Sequence, residues 1–76
     1  MFILSEDGTE AVNTKYIIDL EIIENADTRE HTWRVSANLH YPDRSRRVVL
    51  FEDNRRQVAE EMLKTYIHLM KGTTRT

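Results

Sequence analysis

The chain has 76 residues, of which 39% are hydrophobic and 32% charged, with no cysteine and a net charge of −2. This length accommodates one domain and leaves little core for a deep cavity. The lack of cysteine excludes disulfides and thiolate metal sites. Because no apolar run is long enough for a membrane span or a secretory signal, we expect a cytoplasmic protein without membrane association.

The N-terminal third predicts a hairpin followed by a longer strand. Residues 2–5 and 10–13 are expected to be short strands joined at Asp7-Gly8, a strong hairpin signal because glycine takes a positive φ at no steric cost. Residues 15–24 alternate apolar and polar side chains, which is typical of a half-buried strand. Ile17 breaks the alternation, so a turn or one helical turn is expected before the strand proper.

The clearest pattern spans residues 31–41. Apolar residues alternate there with polar ones without exception: Trp33, Val35, Ala37, Leu39 and Tyr41. This predicts a central strand with its apolar side in the core and its polar side in water. Residues 41–45, around Pro42, predict a turn. Residues 46–52 predict a further strand, in which the continuous apolar run 48–51 leaves open which side chains are buried.

The periodicity then becomes helical. One broad apolar stripe is formed by Val58, Ala59, Met62, Leu63, Tyr66, Ile67 and Met70. Asp53 or Asn54 is the expected N-cap, Asn54 forming a capping box with Gln57, and Gly72 suits the C′ position. The predicted fold is α+β: an antiparallel β-meander of four to five strands with one C-terminal amphipathic helix packed on the sheet. Residues 1–72 form a single domain, and residues 73–76 a frayed tail.

This order of elements resembles small bacterial proteins with a minimal pleckstrin-homology-like fold, a β-meander closed by one helix. The residues that carry the resemblance are the Asp7-Gly8 hairpin, the Ile17, Leu20 and Ile22 spacing, and a Val49-Leu50-Phe51 strand leading to a helix opened by Asp53-Asn54. The resemblance covers nearly the whole chain. The Arg-rich turn at 44–47 and the length of the 41–45 connection depart from the family pattern. The resemblance implies a binding or assembly module and carries over no catalytic residue.

No residue pattern indicates catalysis. The histidines, His31, His40 and His68, lack metal-ligand spacing and are expected to be solvated or peripheral. Asp19 and Glu21 share one strand face, where solvation leaves no reason for the raised pKa that acid catalysis needs. No serine has a neighbouring base, and two isolated glycines cannot form a phosphate-binding loop. We therefore expect no enzymatic activity, cofactor, metal or small-molecule substrate.

Five arginines within thirteen residues are the candidate partner-binding residues: Arg44, Arg46, Arg47, Arg55 and Arg56. Guanidinium groups bind phosphate and aromatic rings stack on bases, so the cluster suits a weak nucleic-acid-binding domain. Interleaved acids and a pI of about 5.9 argue against that function. Nucleic acid is therefore the second choice.

The charge distribution supplies a different use for these arginines. Residues 1–30 carry eight acids against two bases, and residues 31–76 carry five acids against nine bases, giving −6 and +4. These charges can pair within one sheet, which suits a monomer, or between molecules. The preferred prediction is a non-catalytic protein-interaction or self-assembly module that associates through a sheet edge or the outer sheet face.

Overall fold

The computed structural model describes residues 1–26 and 29–73, with side chains through Lys71. The elements in chain order are β1 (Phe2–Leu4), β2 (Ala11–Asn13), a 3-10 turn (Thr14–Tyr16), β3 (Ile17–Asn25), β4 (Thr32–His40), β5 (Ser45–Asp53) and α1 (Arg56–Thr73). All strand pairs are antiparallel, and α1 packs on the sheet formed by β3, β4 and β5. The α+β class is confirmed.

The strands form two sheets instead of one continuous meander. β1 pairs with β2, and β3, β4 and β5 form a separate sheet with β4 at its centre. The break falls at the 3-10 turn, where the Asn13 side chain accepts a hydrogen bond from the Lys15 backbone amide at 3.2 Å. The helical turn that Ile17 suggested is therefore present, and it separates the hairpin from the strand that follows.

The predicted hairpin turn is present, with Gly8 at φ +73°. The Asp7 carboxylate accepts hydrogen bonds from the Ser5 hydroxyl at 2.8 Å and from the Thr9 amide at 3.1 Å. Ile3 lies opposite Val12, and both side chains are buried in the core. The hairpin is attached to the larger sheet by a backbone bond from the Glu6 amide to the Val49 carbonyl, at 2.9 Å.

The central strand was correctly predicted. Val35, Ala37 and Leu39 are buried, and Trp33 and Tyr41 are half-buried against the same core. The polar side of β4 was predicted to lie in water, and this is wrong at its middle, since Ser36 is only 1% exposed.

Two bulges explain the irregular apolar patterns in the neighbouring strands. In β3 the register shifts at Ile18, which leaves that side chain 67% exposed instead of alternating inward. In β5 the shift falls opposite the step from Val35 to Ser36 and makes Leu50 the extra residue. Val48 and Leu50 are buried, Phe51 is half-buried against the same core, and Val49, which pairs with Ser36, is half-buried on the other face. The bulge therefore answers the question left open by the apolar run 48–51.

The helix begins and ends later than predicted. It starts at Arg56, because the Asp53 carboxylate accepts a hydrogen bond from the Arg55 amide at 2.8 Å and holds that segment in a turn. The predicted capping box of Asn54 is absent from the described residues, and Gly72 lies inside the helix instead of at C′. Residue 73 is also helical, and residues 74–76 of the predicted frayed tail lie outside the described residues.

The apolar stripe of α1 contacts all three strands of the larger sheet. Ala59 and Tyr66 are buried, and Met62 and Leu63 are half-buried against the core. Ile67 is exposed, so the buried stripe is narrower than the sequence predicts. In the described part of the chain, no helix combines the length and apolar character that a membrane span needs.

Candidate interaction surfaces

The first candidate surface is the outer edge of β3, here called the β3 edge (Ile17–Asn25). Within the described chain, β3 pairs with β4 and with no other strand. Every second residue of this nine-residue strand therefore directs its backbone N–H and C=O groups away from the sheet. Edge strands in monomeric proteins are usually short, or carry lysine or proline. The β3 edge has neither residue. The common protective features that it does have are the bulge at Ile18 and three acidic side chains, Asp19, Glu21 and Glu24.

Apolar side chains flank the β3 edge on both faces of the sheet. Leu20 and Ile22 lie on the helix side, and Ile23 lies on the outer side. All three are half-buried, whereas their β4 partners on the helix side, Ala37 and Val35, are fully buried. A strand added at this edge would cover the apolar surface that β4 and α1 leave exposed.

The second candidate is the outer sheet face, on the side opposite α1. At one end, Glu52 Oε2 accepts hydrogen bonds from the Thr32 hydroxyl at 2.6 Å, from Arg34 Nε at 2.9 Å and from Asn25 Nδ2 at 3.3 Å. These donors, the Thr32 hydroxyl first, hold the pKa of Glu52 below its ordinary value. The charge at this end is thus already satisfied within the chain.

The other end of the outer face is also paired internally. Asn38 donates to the Asp19 carboxylate and, at 3.1 Å, to Glu21, while Arg47 lies 3.0 Å from the same Glu21 carboxylate. This network includes Asp19 and Glu21, the two carboxylates predicted from the sequence to share one strand face. Ser36 lies on the same face between the two networks, and its hydroxyl has no partner in the described residues.

The five predicted partner-binding arginines do not form one patch. Arg44, Arg46 and Arg47 lie around the start of β5 and Arg55 and Arg56 follow its end, about 30 Å of strand apart. Three are ion-paired within the chain: Arg46 with Glu10 at 2.7 Å, Arg47 with Glu21, and Arg55 with Asp53 at 3.3 Å.

Arg44 and Arg56 instead lie over aromatic rings. The Arg44 guanidinium is 5.5 Å from the centre of the Tyr41 ring, and that of Arg56 is 5.0 Å from the Trp33 ring. Neither forms an ion pair in the described part of the chain. Within the described residues, they are the two arginines of the predicted set without an ion-paired carboxylate.

A further cationic group was missed at the sequence level. Lys15 lies 5.0 Å from the centre of the Tyr16 ring, and the rings of Tyr16 and Tyr41 are 4.8 Å apart. Together with Arg44 these residues form the Tyr16–Tyr41 cluster. The antiparallel pairing of Ile17 with Leu39 brings the two tyrosines together. The proximity of Tyr16 and Tyr41 could have been predicted from the sequence, because the start of one strand and the end of the next are adjacent in any meander.

A cleft of about 300 Å³ lies between the hairpin turn and β5, but its charged residues include Arg34, Arg47, Glu10 and Glu52, all of them paired within the chain. The described residues contain no group of three or more potential metal ligands.

The histidines lie apart. His31 contacts the Glu24 carboxylate and stacks on Trp33 with ring centres 5.8 Å apart, His40 contacts the Ser45 hydroxyl at 3.2 Å, and His68 is exposed on α1.

No protein-family model, curated protein or solved structure matches the chain. The pleckstrin-homology-like resemblance therefore stays a prediction, and the functional argument depends on the surfaces described above.

Proposed function

We propose that this chain is a non-catalytic protein-interaction module that accepts an additional β-strand along the β3 edge. The observation that carries the proposal is the nine-residue outer edge of β3, which no strand of the described chain pairs with and no lysine or proline interrupts. Strand addition obtains affinity from backbone hydrogen bonds and specificity from alternate side chains. The half-buried Leu20, Ile22 and Ile23 supply those side chains.

The internal pairing of the outer face favours the edge over that face. Glu52, Glu21, Arg34 and Arg47 already satisfy one another or their neighbours, so a partner on this face would have to break existing hydrogen bonds. Strand addition at the β3 edge requires no such exchange of side-chain bonds, because no other strand of the described chain pairs with that side of β3.

The arginines have a secondary role in this proposal. Arg46, Arg47 and Arg55 are neutralised within the chain, whereas Arg44 and Arg56 keep a charge available for a partner. Exposed charges of this kind influence the association rate and its salt dependence more than the final affinity.

The proposal is tested by comparing two exposed isoleucine or leucine positions. A tagged chain is used to capture proteins from lysate, with nuclease present, as wild type, Ile18→Lys and Leu4→Lys. Both side chains are largely exposed, at 67% and 63%, but Ile18 lies in β3 and Leu4 in the hairpin. We expect the Leu4→Lys variant to recover the same protein as wild type and the Ile18→Lys variant to lose it, because lysine disfavours pairing at a strand edge.

Hydrogen exchange then locates the contact in the purified complex. Backbone amides of residues 18–24 should exchange more slowly than in the free chain, while those of β5 should be unchanged. Equal recovery by both variants, together with unchanged exchange in β3, would exclude strand addition at this edge.

A weak nucleic-acid-binding domain is the second candidate, favoured by the cations that lie on aromatic rings. Lys15 and Arg44 at one end of β5 and Arg56 at the other each lie over an aromatic ring. None of them forms an ion pair in the described residues, and charge beside a stacking surface is the composition of single-strand binding sites. Three phosphate contacts predict a slope of about −2 for log affinity against log salt with a single strand. Fluorescence anisotropy of a labelled single-stranded oligonucleotide, measured at several salt concentrations, checks this slope. The control is the variant in which Lys15, Arg44 and Arg56 are all replaced by glutamine. Equal binding by that variant would exclude the site.

A further inference from the structure

We propose that the strand which joins the β3 edge is β3 of a second copy, in antiparallel register centred on Ile22. This inference depends on the proposed function, since it names the occupant of the same edge. The result would be a symmetric dimer with one continuous six-stranded sheet and both copies of α1 on one side of it. The argument comes from the symmetry of such a pair and from the charges on β3.

Symmetry limits the possible registers. In a two-fold antiparallel pair, residue i of one copy faces residue j of the other, and j faces i. Directly opposed residues have their side chains on the same face of the sheet. The two-fold axis therefore passes through a single residue of β3, which faces its own counterpart.

The charges on β3 then select among the remaining registers. The strand carries Asp19, Glu21 and Glu24, and no basic residue. Like charges directly opposite one another destabilise a strand pair. An axis through Leu20 places Asp19 opposite Glu21, and an axis through Asp19, Glu21 or Glu24 places that acid opposite itself.

An axis through Ile22 avoids every such opposition. Ile22 then faces Ile22 of the second copy, Glu21 faces Ile23, Leu20 faces Glu24, and Asp19 faces Asn25. Seven residues pair in this register. An axis through Ile23 also avoids opposed acids but pairs only residues 21–25. The Ile22 register is thus the longest symmetric pairing of this strand without acid facing acid.

Apolar contacts in this register match the half-buried side chains described above. Ile22 contacts Ile22 of the second copy on the helix side of the sheet. In the single chain this side chain is only half-buried by β4 and α1. On the outer side, Ile23 covers the aliphatic stem of Glu21, whose carboxylate remains 3.0 Å from Arg47 of its own copy. The pairing therefore leaves the internal ion pair intact.

The test uses the absence of cysteine from the chain. Glu21→Cys and Ile23→Cys variants are prepared separately and mixed under mild oxidation. In the Ile22 register the two introduced thiols lie on directly opposed residues, whose Cα separation of about 4.5–5.5 Å permits a disulfide. We expect a covalent dimer in the mixture and little in Glu21→Cys alone. Efficient cross-linking of Glu21→Cys alone would instead place the axis at Glu21 and overturn the proposed register.

Charge substitutions give a second, independent measurement. Ile23→Lys places a base opposite Glu21 twice in each dimer, and Ile23→Glu places an acid there twice. At about 0.2–1 kcal/mol for each pair, the dimer dissociation constant should be about 2- to 30-fold lower for Ile23→Lys than for Ile23→Ala, and higher by a similar factor for Ile23→Glu. Sedimentation equilibrium from micromolar to millimolar concentration measures both. Because both variants lose the same isoleucine, opposite shifts cannot come from impaired folding.

Leu4→Lys and Leu4→Glu on the hairpin are the matched controls, and neither should change dimerisation. A wild-type chain that stays monomeric throughout this range would overturn the dimer. If such a monomer still captured another protein with protection of β3 amides, the proposed function would stand and the second copy alone would be excluded as the occupant.

Discussion

Arg34 and Glu52 lie directly opposite each other on β4 and β5, with Arg34 Nε donating to Glu52 Oε2 at 2.9 Å. The same oxygen accepts the Thr32 hydroxyl and the Asn25 amide. One carboxylate thus links β3, β4 and β5 on the outer face. Because its donors stabilise the ionised form, the pKa of Glu52 is lower in the folded protein than in the unfolded chain.

Glu52→Gln should therefore destabilise the protein in a pH-dependent way. A group with a depressed folded pKa stabilises the fold above its unfolded pKa, about 4.3 for glutamate, and this contribution disappears as the pH falls through the folded pKa. We expect a loss of about 1–3 kcal/mol in the free energy of unfolding near pH 7. The difference should shrink below about pH 4. Urea unfolding of both proteins across this range measures it.

Glu60→Gln is the control for this experiment, since Glu60 is exposed on α1 and forms no ion pair in the described residues. Its unfolding free energy should follow that of wild type at every pH. A constant difference between Glu52→Gln and wild type from pH 7 to pH 3 would show that the charge of Glu52 is not what stabilises the face.

The two buried serines should respond to alanine in opposite ways. Ser36 Oγ has no partner in the described residues, so Ser36→Ala removes an unsatisfied buried hydroxyl and should be neutral or stabilising by about 1 kcal/mol. Ser5 donates to Asp7 at 2.8 Å and accepts from the Glu10 amide at 3.2 Å. Ser5→Ala should therefore cost about 1 kcal/mol or more. Thermal unfolding compares them, and an equal loss in both would contradict this assignment.

Substitution of Gly8 tests the hairpin turn. Gly8 has φ +73°, and a Cβ added there would meet no atom within 4 Å. The cost of Gly8→Ala is therefore backbone strain alone, about 1–2 kcal/mol, while Gly8→Asn should cost less because asparagine tolerates this region. Chemical denaturation of the two variants gives the comparison. A stability for Gly8→Ala equal to that of wild type would mean that the turn adopts another conformation.

The Tyr66 hydroxyl on α1 donates a hydrogen bond to the Leu50 carbonyl at the bulge of β5, at 3.3 Å. Burial raises the pKa of Tyr66. Tyr66→Phe should lower the free energy of unfolding by about 0.5–1.5 kcal/mol, because the buried carbonyl loses its donor. Tyr16→Phe is the control, since the Tyr16 hydroxyl forms no hydrogen bond in the described part of the chain. Equal effects would indicate that the Leu50 bond contributes nothing.

Local sequence signals determined the types of most elements. The Asp7-Gly8 turn, the alternation through Trp33 and Leu39, and the helical spacing of Ala59 and Tyr66 each depend on interactions within a few residues. Such interactions leave a periodic trace in the sequence. The α+β class and the inward face of β4 were therefore predictable without coordinates.

The candidate site was only partly predictable for the same reason. Five neighbouring arginines suggested one basic surface, but an extended strand separates Arg44 from Arg56 and its alternation sends Arg46 and Arg47 to opposite faces. Arg46 and Arg47 are each neutralised through a contact with a distant residue, such as that of Arg46 with Glu10, 36 residues apart. No local sequence pattern indicates such contacts.

The sequence by itself determined the α+β class, with a central strand and a closing helix, because period-two and helical patterns are properties of single elements. Only the tertiary structure decided that the hairpin forms its own sheet, that bulges at Ile18 and opposite Ser36 redirect side chains, and that β3 is an edge. Strand order and register arise from pairing between distant segments, where many arrangements satisfy the same local pattern. The proposed binding edge belongs to this second class of features.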